Sequence, residues 1–206
     1  LQIELDARNW TARTLAWLPS RSGGDSARRG EIEDVQEQVE KAIALRARLC
    51  LSKEESKEWV LDGEQELSSL VETAEHWYDK NEEYLEGDNR RNGSRSCISL
   101  AKLREIASEG NSIHANLGSV TVKITKILGQ AEAWYDKHKP LLDRCRNDPG
   151  VMTKSTYIKL EDLENAVEEA SSEVALDLDE ATELAAVLGK IHTWKDRASV
   201  AVSGKR

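Results

Sequence analysis

The sequence predicts an all-α fold, an elongated array of helical hairpins in which a short helix, a turn and a long Trp-centred helix recur. Three observations predict it. Hydrophobic residues make up 39% of the 206 positions and charged residues 33%, with three prolines and no phenylalanine, a balance that suits long helices with narrow apolar stripes better than stacked sheets. Apolar residues return at alternating steps of four and three, the period of one helix face. The stretch Ala-Glu-x-Trp-Tyr-Asp-Lys occurs at 74–80 and again at 131–137, and such self-similarity marks an internal repeat.

Each element follows in order. Ile3, Ala7, Trp10, Thr14 and Trp17 keep the spacing 4, 3, 4, 3, so residues 1–18 read as the end of a truncated preceding repeat helix. "PSRSGGDSARRG" (19–30) is a linker by its Gly, Ser and Pro content. Residues 31–206 form the repeat region proper, in units of about 31–88, 97–146 and 157–203. In the first, 31–50 places Ile32, Val35, Val39, Ala42 and Leu49 on one face, and the long helix carries Leu67, Leu70, Ala74, Trp77, Asn81 and Tyr84.

"GDNRRNGSRS" (87–96) punctuates, and "ISLAKLREIASEG" (98–110) is the second short helix, with Gly110 placed as its C-terminal stop. The second long helix has the fullest stripe: Val120, Ile124, Ile127, Ala131, Trp134, His138, Leu141 and Cys145. Pro140 predicts a kink or a fresh first turn within it. After "RNDPGVMTKS" (146–155), "IKLEDLENAVEEA" (158–170) aligns with the earlier short helix on Ile98/Ile158, Leu100/Leu160 and Leu103/Leu163. Asp177 or Asp179 is the expected N-cap of the last helix, whose stripe is Leu184, Val187, Ile191, Trp194, Ala198 and Ala201. The Trp-centred helices thus stand at periods of 67, 57 and 60 residues.

A single hairpin of this kind buries too little apolar area to be stable, and stacking on a neighbour supplies the rest. The Trp, facing inward with a small residue three positions before it, would bury on the order of 200 Å² of ring surface. What repeats is therefore a packing station.

Chemistry is sparsely signalled. The net charge is −9, and because residues 1–30 carry five Arg against three acids, the remainder has 24 basic and 35 acidic residues, a net of −11. That disfavours direct nucleic-acid binding by 31–206. Leu160 to Gly189 holds ten acids and no base; it reads as a solvated helix face or as a dock for a basic partner such as a histone tail. Cys50, Cys97 and Cys145 are odd in number and isolated, which encodes neither a disulfide framework nor a zinc knuckle and fits a reducing, intracellular compartment.

His76, His114, His138 and His192 have no partner at metal-ligand spacing, and His138 on the stripe reads as a hydrogen-bonded structural histidine. Tyr78 and Tyr135 fall at the edge of the buried face, as boundary filling or as an aromatic platform; Asp79-Lys80 and Asp136-Lys137 read as a surface charge pattern. No catalytic, cofactor-binding or metal-binding residue is assigned, and neither a small-molecule substrate nor a membrane span is expected. The absent initiating Met suggests a piece of a larger protein.

Leu100-x-x-Leu103, "SEGNSIHANLGSV" (108–120) and "ITKILGQAEAW" (124–134) together resemble the PLU-type helical region of the JmjC/ARID/PHD histone lysine demethylases. "LEDLENAVEEASSEVALDLDEATELAAVLGKIHTW" (160–194) looks like a second copy with Ala170 in place of the Gly, and the resemblance covers about 31–203. It implies a nuclear, chromatin-associated protein in which this region is a non-catalytic scaffold with protein partners. It further implies that Fe(II), 2-oxoglutarate and zinc belong to the intact protein, an enzyme acting on methylated histone H3 lysine four. No iron triad of that family can be placed on this sequence. The other reading is a spectrin-like cytoskeletal or adaptor module, but its units are about 106 residues with three comparable helices, against about 60 here with one short and one long.

Overall fold

A computed structural model describes residues 2–18, 30–52, 61–85, 97–146, 158–174 and 176–203. The expected punctuation at 19–29, 87–96 and 147–155, and the side chains of Leu49 and Cys50, lie outside the described residues. The helices are α1 (Gln2–Thr14), α2 (Ile32–Ser52), α3 (Glu64–Leu85), α4 (Leu100–Ser112), α5 (Ser119–Arg146), α6 (Leu160–Glu173) and α7 (Asp179–Ser203), with one 3-10 turn, Leu15–Trp17, after α1. Among the described residues there is no strand, only two isolated parallel bridges, Glu31 with Asn116 and Ile98 with Leu178. The fold is all-α; a short helix precedes a long one in the second and third units, 13 before 28 residues and 14 before 25, whereas in the first unit α2 and α3 are nearly equal at 21 and 22.

Contacts group the chain into two compact bodies, Leu1–Glu82 with Ser108–Val122, and Glu83–Ala107 with Lys123–Arg206. The first is organised by Trp10, Leu18, Val35, Ala42, Leu45, Leu61, Leu67 and Val71, against which Ile3, Ala7, Trp17 and Val39 pack from the side. In the second, Leu103, Ile124, Ala131, Trp134, Leu142, Leu163, Ala166 and Leu184 are buried. On α5 every stripe position from Ile124 to Leu141 is buried. Val71, Leu85 and Leu142 are buried beside the stripes, so the apolar face is wider than a strict 4-3 seam.

The links between short and long helices are clamped by backbone pairs. In the first body the Asn116 N–H donates to the Gly30 carbonyl at 2.8 Å and the Ile32 N–H to the Asn116 carbonyl at 3.0 Å. In the second, the Ile98 N–H donates to Asp177 at 2.9 Å and the Asp179 N–H to Ile98 at 3.1 Å. Each link therefore satisfies backbone groups at the entry of a preceding short helix. Local chemistry finishes the ends. Ser99 Oγ accepts from the Lys102 N–H at 3.2 Å as the N-cap of α4, and Gly118 at φ +58 makes the turn into α5. The Leu61 N–H before α3 is held by Glu64 Oε2 at 3.1 Å, while Arg46 from α2 reaches Glu64 Oε1 at 3.0 Å.

Four expectations need correction. Gly110 is no helix stop: it lies buried inside α4, and a Cβ there would come 2.6 Å from Trp77 Cζ2, so the glycine serves close approach of an indole. Of the two outcomes expected at Pro140 the fresh first turn does not occur, because α5 continues to Arg146; burial of Leu141 and Leu142 beyond it outweighs the one missing backbone donor. Neither Asp177 nor Asp179 stands at the N-cap position of α7: the helix begins at Asp179, and Leu178 precedes it, its carbonyl accepting from the Thr182 N–H at 3.0 Å. Trp194 is not buried. The residue is 70% exposed and, of the α7 stripe, only Leu184 is fully covered; each buried tryptophan lies on the helix next along the chain, and among the described residues none follows α7.

Candidate interaction surfaces

Three tryptophans define one station each. Trp10 is 4% exposed and donates Nε1–H to the Gln38 carbonyl of α2 at 2.8 Å. Trp134 is 2% exposed and donates to the Ala166 carbonyl of α6 at 2.9 Å. Both acceptors are mid-helix carbonyls, whose second lone pair remains available beside the helical bond. Four residues after each acceptor stands a buried small residue, Ala42 and Ala170. Trp77, 5% exposed, lies on Gly110, which occupies the matching place in α4. The indole thus crosses a short helix where it has no bulky side chain.

A charge pair fixes the register of two stations. Lys80, three residues after Trp77, meets Glu109, one residue before Gly110, at 3.0 Å. Lys137, three after Trp134, meets Glu169, one before Ala170, at 2.7 Å. The Asp-Lys surface pattern of the sequence therefore has a structural use for its lysine. Glu169 Oε2 also lies 2.7 Å from His138 Nε2, and the His138 ring, 9% exposed, stands 5.4 Å from that of Trp134. The Lys137 hydrogen bond first, then that of His138, holds the Glu169 carboxyl below its ordinary range, and the same bond raises Lys137. Such exposed pairs contribute little stability each. Their value is orientation.

The acidic stretch 160–189 is in good part spent inside the chain. Glu164 faces His192 at 3.3 Å, Glu180 accepts from the Leu100 N–H at 3.2 Å, and Glu183 binds Arg146 at 2.8 Å, beside the Glu169 contacts. Arg104 and Glu132 add a further cross-helix pair at 2.8 Å, which raises the Arg104 pKa. The solvated acids of α6, Glu161, Asp162 and Glu168, remain on its outer side.

Among the described residues no group of three His, Cys, Asp or Glu is placed to hold a metal ion. The four histidines stand apart, two of them each facing a single glutamate, so these residues do not fit an iron site. Cys97 is exposed, 3.6 Å from Thr182 Oγ1, and burial raises the Cys145 thiol. Tyr78 and Tyr135 are half-buried at the edge of the stripe. Tyr78 lines an open groove of about 280 Å³ with Ile32, Trp77, Leu117 and Val120, the place where an aromatic platform would be. Its polar lining is Glu33, Gln36, Glu75 and Asp79, of which Gln36 and Glu75 are hydrogen-bonded to each other at 3.0 Å.

Not anticipated from the sequence were the small residue at each station and, at two of them, the Glu preceding it. Both were legible as Glu109-Gly110 aligned with Glu169-Ala170. Among the described residues no helix is long and apolar enough to cross a membrane. No curated protein and no solved structure shows a significant match to the chain. The family described as PLU-1-like protein matches residues 56–203, which takes in α3 to α7 with all three later tryptophan positions of the repeat. That span is well over half of the sequence, and the chain belongs to the PLU-1-like protein family.

Proposed function

We propose that this chain is a non-catalytic helical scaffold and protein-interaction region of a chromatin-associated, nuclear protein of the histone lysine demethylase kind. Membership in the PLU-1-like family carries the reading. The stations support it: their polar groups, from the indole N–H of Trp134 to Glu169, Lys137 and His138, are committed to holding one helix on another. Side chains so committed make a spacer with defined faces. Fe(II), 2-oxoglutarate and zinc then belong to other parts of the intact protein, which would be the demethylase of histone H3 lysine four.

Proximity labelling from the intact protein tests the setting. Histones and chromatin proteins are the expected labelled set; a set dominated by actin-associated proteins would overturn the reading in favour of a spectrin-like adaptor. In parallel, the purified chain supplied with Fe(II), 2-oxoglutarate and a methylated H3 lysine-four peptide is expected to give no demethylation. Turnover would overturn the non-catalytic part.

A further inference from the structure

One cross-helix position sets a basic residue against an acid in two units and keeps only the acid in the other. On the first helix of each unit it lies six residues before the small residue of a station, at Gln36, Arg104 and Glu164. On the second helix it lies two residues before the Trp, at Glu75, Glu132 and His192. Arg104 donates its Nε–H to Glu132 at 2.8 Å, and Glu164 faces His192 at 3.3 Å. Gln36 donates to Glu75 at 3.0 Å, which gives that carboxylate a neutral partner and no cation.

The second unit shows what such a place holds. The hydrogen bond to Glu132 raises the Arg104 pKa first, and the charges of Glu132, Asp136 and Tyr135 raise it further, so three neighbours act on one guanidinium. The first unit carries the same set in the same register, Glu75, Asp79 and Tyr78. They line the groove of about 280 Å³, with Glu33 added from α2, Ile32 and Val120 as apolar wall, and no Lys, Arg or His in the lining. Among the described residues no cation pairs with Glu33, Glu75 or Asp79. Two cations of the same helices are spent elsewhere, Arg46 on Glu64 and Lys80 on Glu109. The volume lies just under the roughly 300–1,000 Å³ of small-molecule sites, which suits one long side chain.

We propose that this groove takes an arginine side chain from a basic segment of a partner protein, in the place that Arg104 fills for the second unit. A guanidinium stacks on aromatic rings and is more weakly hydrated than an ammonium, which fits a site that sets Tyr78 beside carboxylates. Its methylene stem lies on Ile32 and Val120. The basic partner that the sequence suggests for 160–189 finds its acids here instead, because those of 160–189 are in good part paired within the chain. The proposal deepens the reading of the chain as an interaction region and rests on it, but the two fail separately. Chromatin labelling without arginine binding would keep the scaffold and remove the groove; arginine binding without chromatin labelling would keep the groove in another kind of scaffold.

The probe is a capped Gly-Ala-Arg-Ala-Gly peptide, titrated at low salt into the isotope-labelled full chain and followed by NMR, which reads weak binding residue by residue. Saturable shifts are expected at the amides of Glu75, Tyr78 and Asp79 and at the Trp77 indole. The same peptide with citrulline for arginine should give none. Removing two carboxylates in Glu75→Gln/Asp79→Asn should weaken binding about fivefold or more. Gln36→Arg should abolish it by installing the second unit's own cation, and Arg104→Gln should open a second site with shifts at Glu132 and Asp136. These four positions are at least partly exposed, and an unchanged helical spectrum of each variant would verify that the fold is intact. No saturable shifts at the groove, or binding that Gln36→Arg leaves unchanged, would overturn the proposal. So would much tighter peptide binding by Arg21→Ala/Arg28→Ala/Arg29→Ala, which would make the chain's own linker the occupant. Shifts at Glu75 and Asp79 that grow with protein concentration in the absence of peptide would overturn it too, in favour of a second copy.

Discussion

Trp134 and Trp194 share a residue type, a register and a place in a long helix, and differ only in what lies above them. That makes them a controlled pair. Trp134→Ala removes a buried ring and its hydrogen bond to the Ala166 carbonyl, so it should cost about 3–5 kcal/mol in denaturant unfolding. Trp194→Ala should stay within about 0.5 kcal/mol, as a surface change does. Equal costs would mean that the tryptophans act through helix propensity and not through burial. Glu169 supplies a pH signature at the same scale. Its carboxyl is held below the ordinary value of 4.5 by Lys137 and His138, so its contribution is complete above about that pH and lost as pH falls through the lower folded value. Lys137, raised from 10.5, contributes fully below that pH and loses its share only as pH rises through the higher folded value. Acid unfolding of Glu169→Gln should therefore show a shallower pH dependence below about pH 4.5 than the parent. Identical acid limbs would contradict the pairing.

Within helices, three glycines separate packing from propensity. Gly110 in α4 lies under Trp77, where a Cβ would sit 2.6 Å from the ring; Gly129 in α5 and Gly189 in α7 have nothing within 4 Å. Alanine gains about 1 kcal/mol over glycine in a helix interior, whereas overpacking a filled core costs about 1–3 kcal/mol. Gly110→Ala should therefore be net destabilising, and Gly129→Ala and Gly189→Ala stabilising by up to about 1 kcal/mol in the same unfolding assay. Stabilisation by Gly110→Ala would show that the indole can move aside. The same glycine marks where the sequence was legible and where it was not. The α3 and α5 stripes could be read because 4-3 periodicity reports a buried face directly, from Leu67 to Asn81 and from Ile124 to Leu141. Gly110 and Pro140 could not, because a local rule for helix ends competes there with tertiary contacts, with Trp77 in one case and through Leu141 and Leu142 in the other. The lysines of the charge clamp were visible as residues but not as partners, since their glutamates lie 29 and 32 positions away.

For the whole molecule, periodicity reports which face of a helix is apolar but not whether anything covers it. Periodicity places Trp194 on the packed face for that reason: α7 repeats the pattern of α5, yet among the described residues no helix covers its Trp. A repeat array derives its stability from neighbour interfaces, so each hairpin should be as protected as the helices that lie on it. α5 is buried along one face from Ile124 to Leu142, and α6 carries the buried Leu163, Ala166 and Ala170 against it and α7. Beyond Trp194, α7 has only Ala198 half-covered, with Val200 and Val202 more than 70% exposed. Native-state hydrogen exchange should consequently fall along α7, with amides after Trp194 exchanging ~100-fold or more faster than those around Ile127 and Ala131, a difference of about 3 kcal/mol in opening free energy. The helical hydrogen bonds are formed in both places, so only the covering differs. Even protection along the whole of α7 would mean that the helix end is held by its own propensity, and that an uncovered station costs the array nothing.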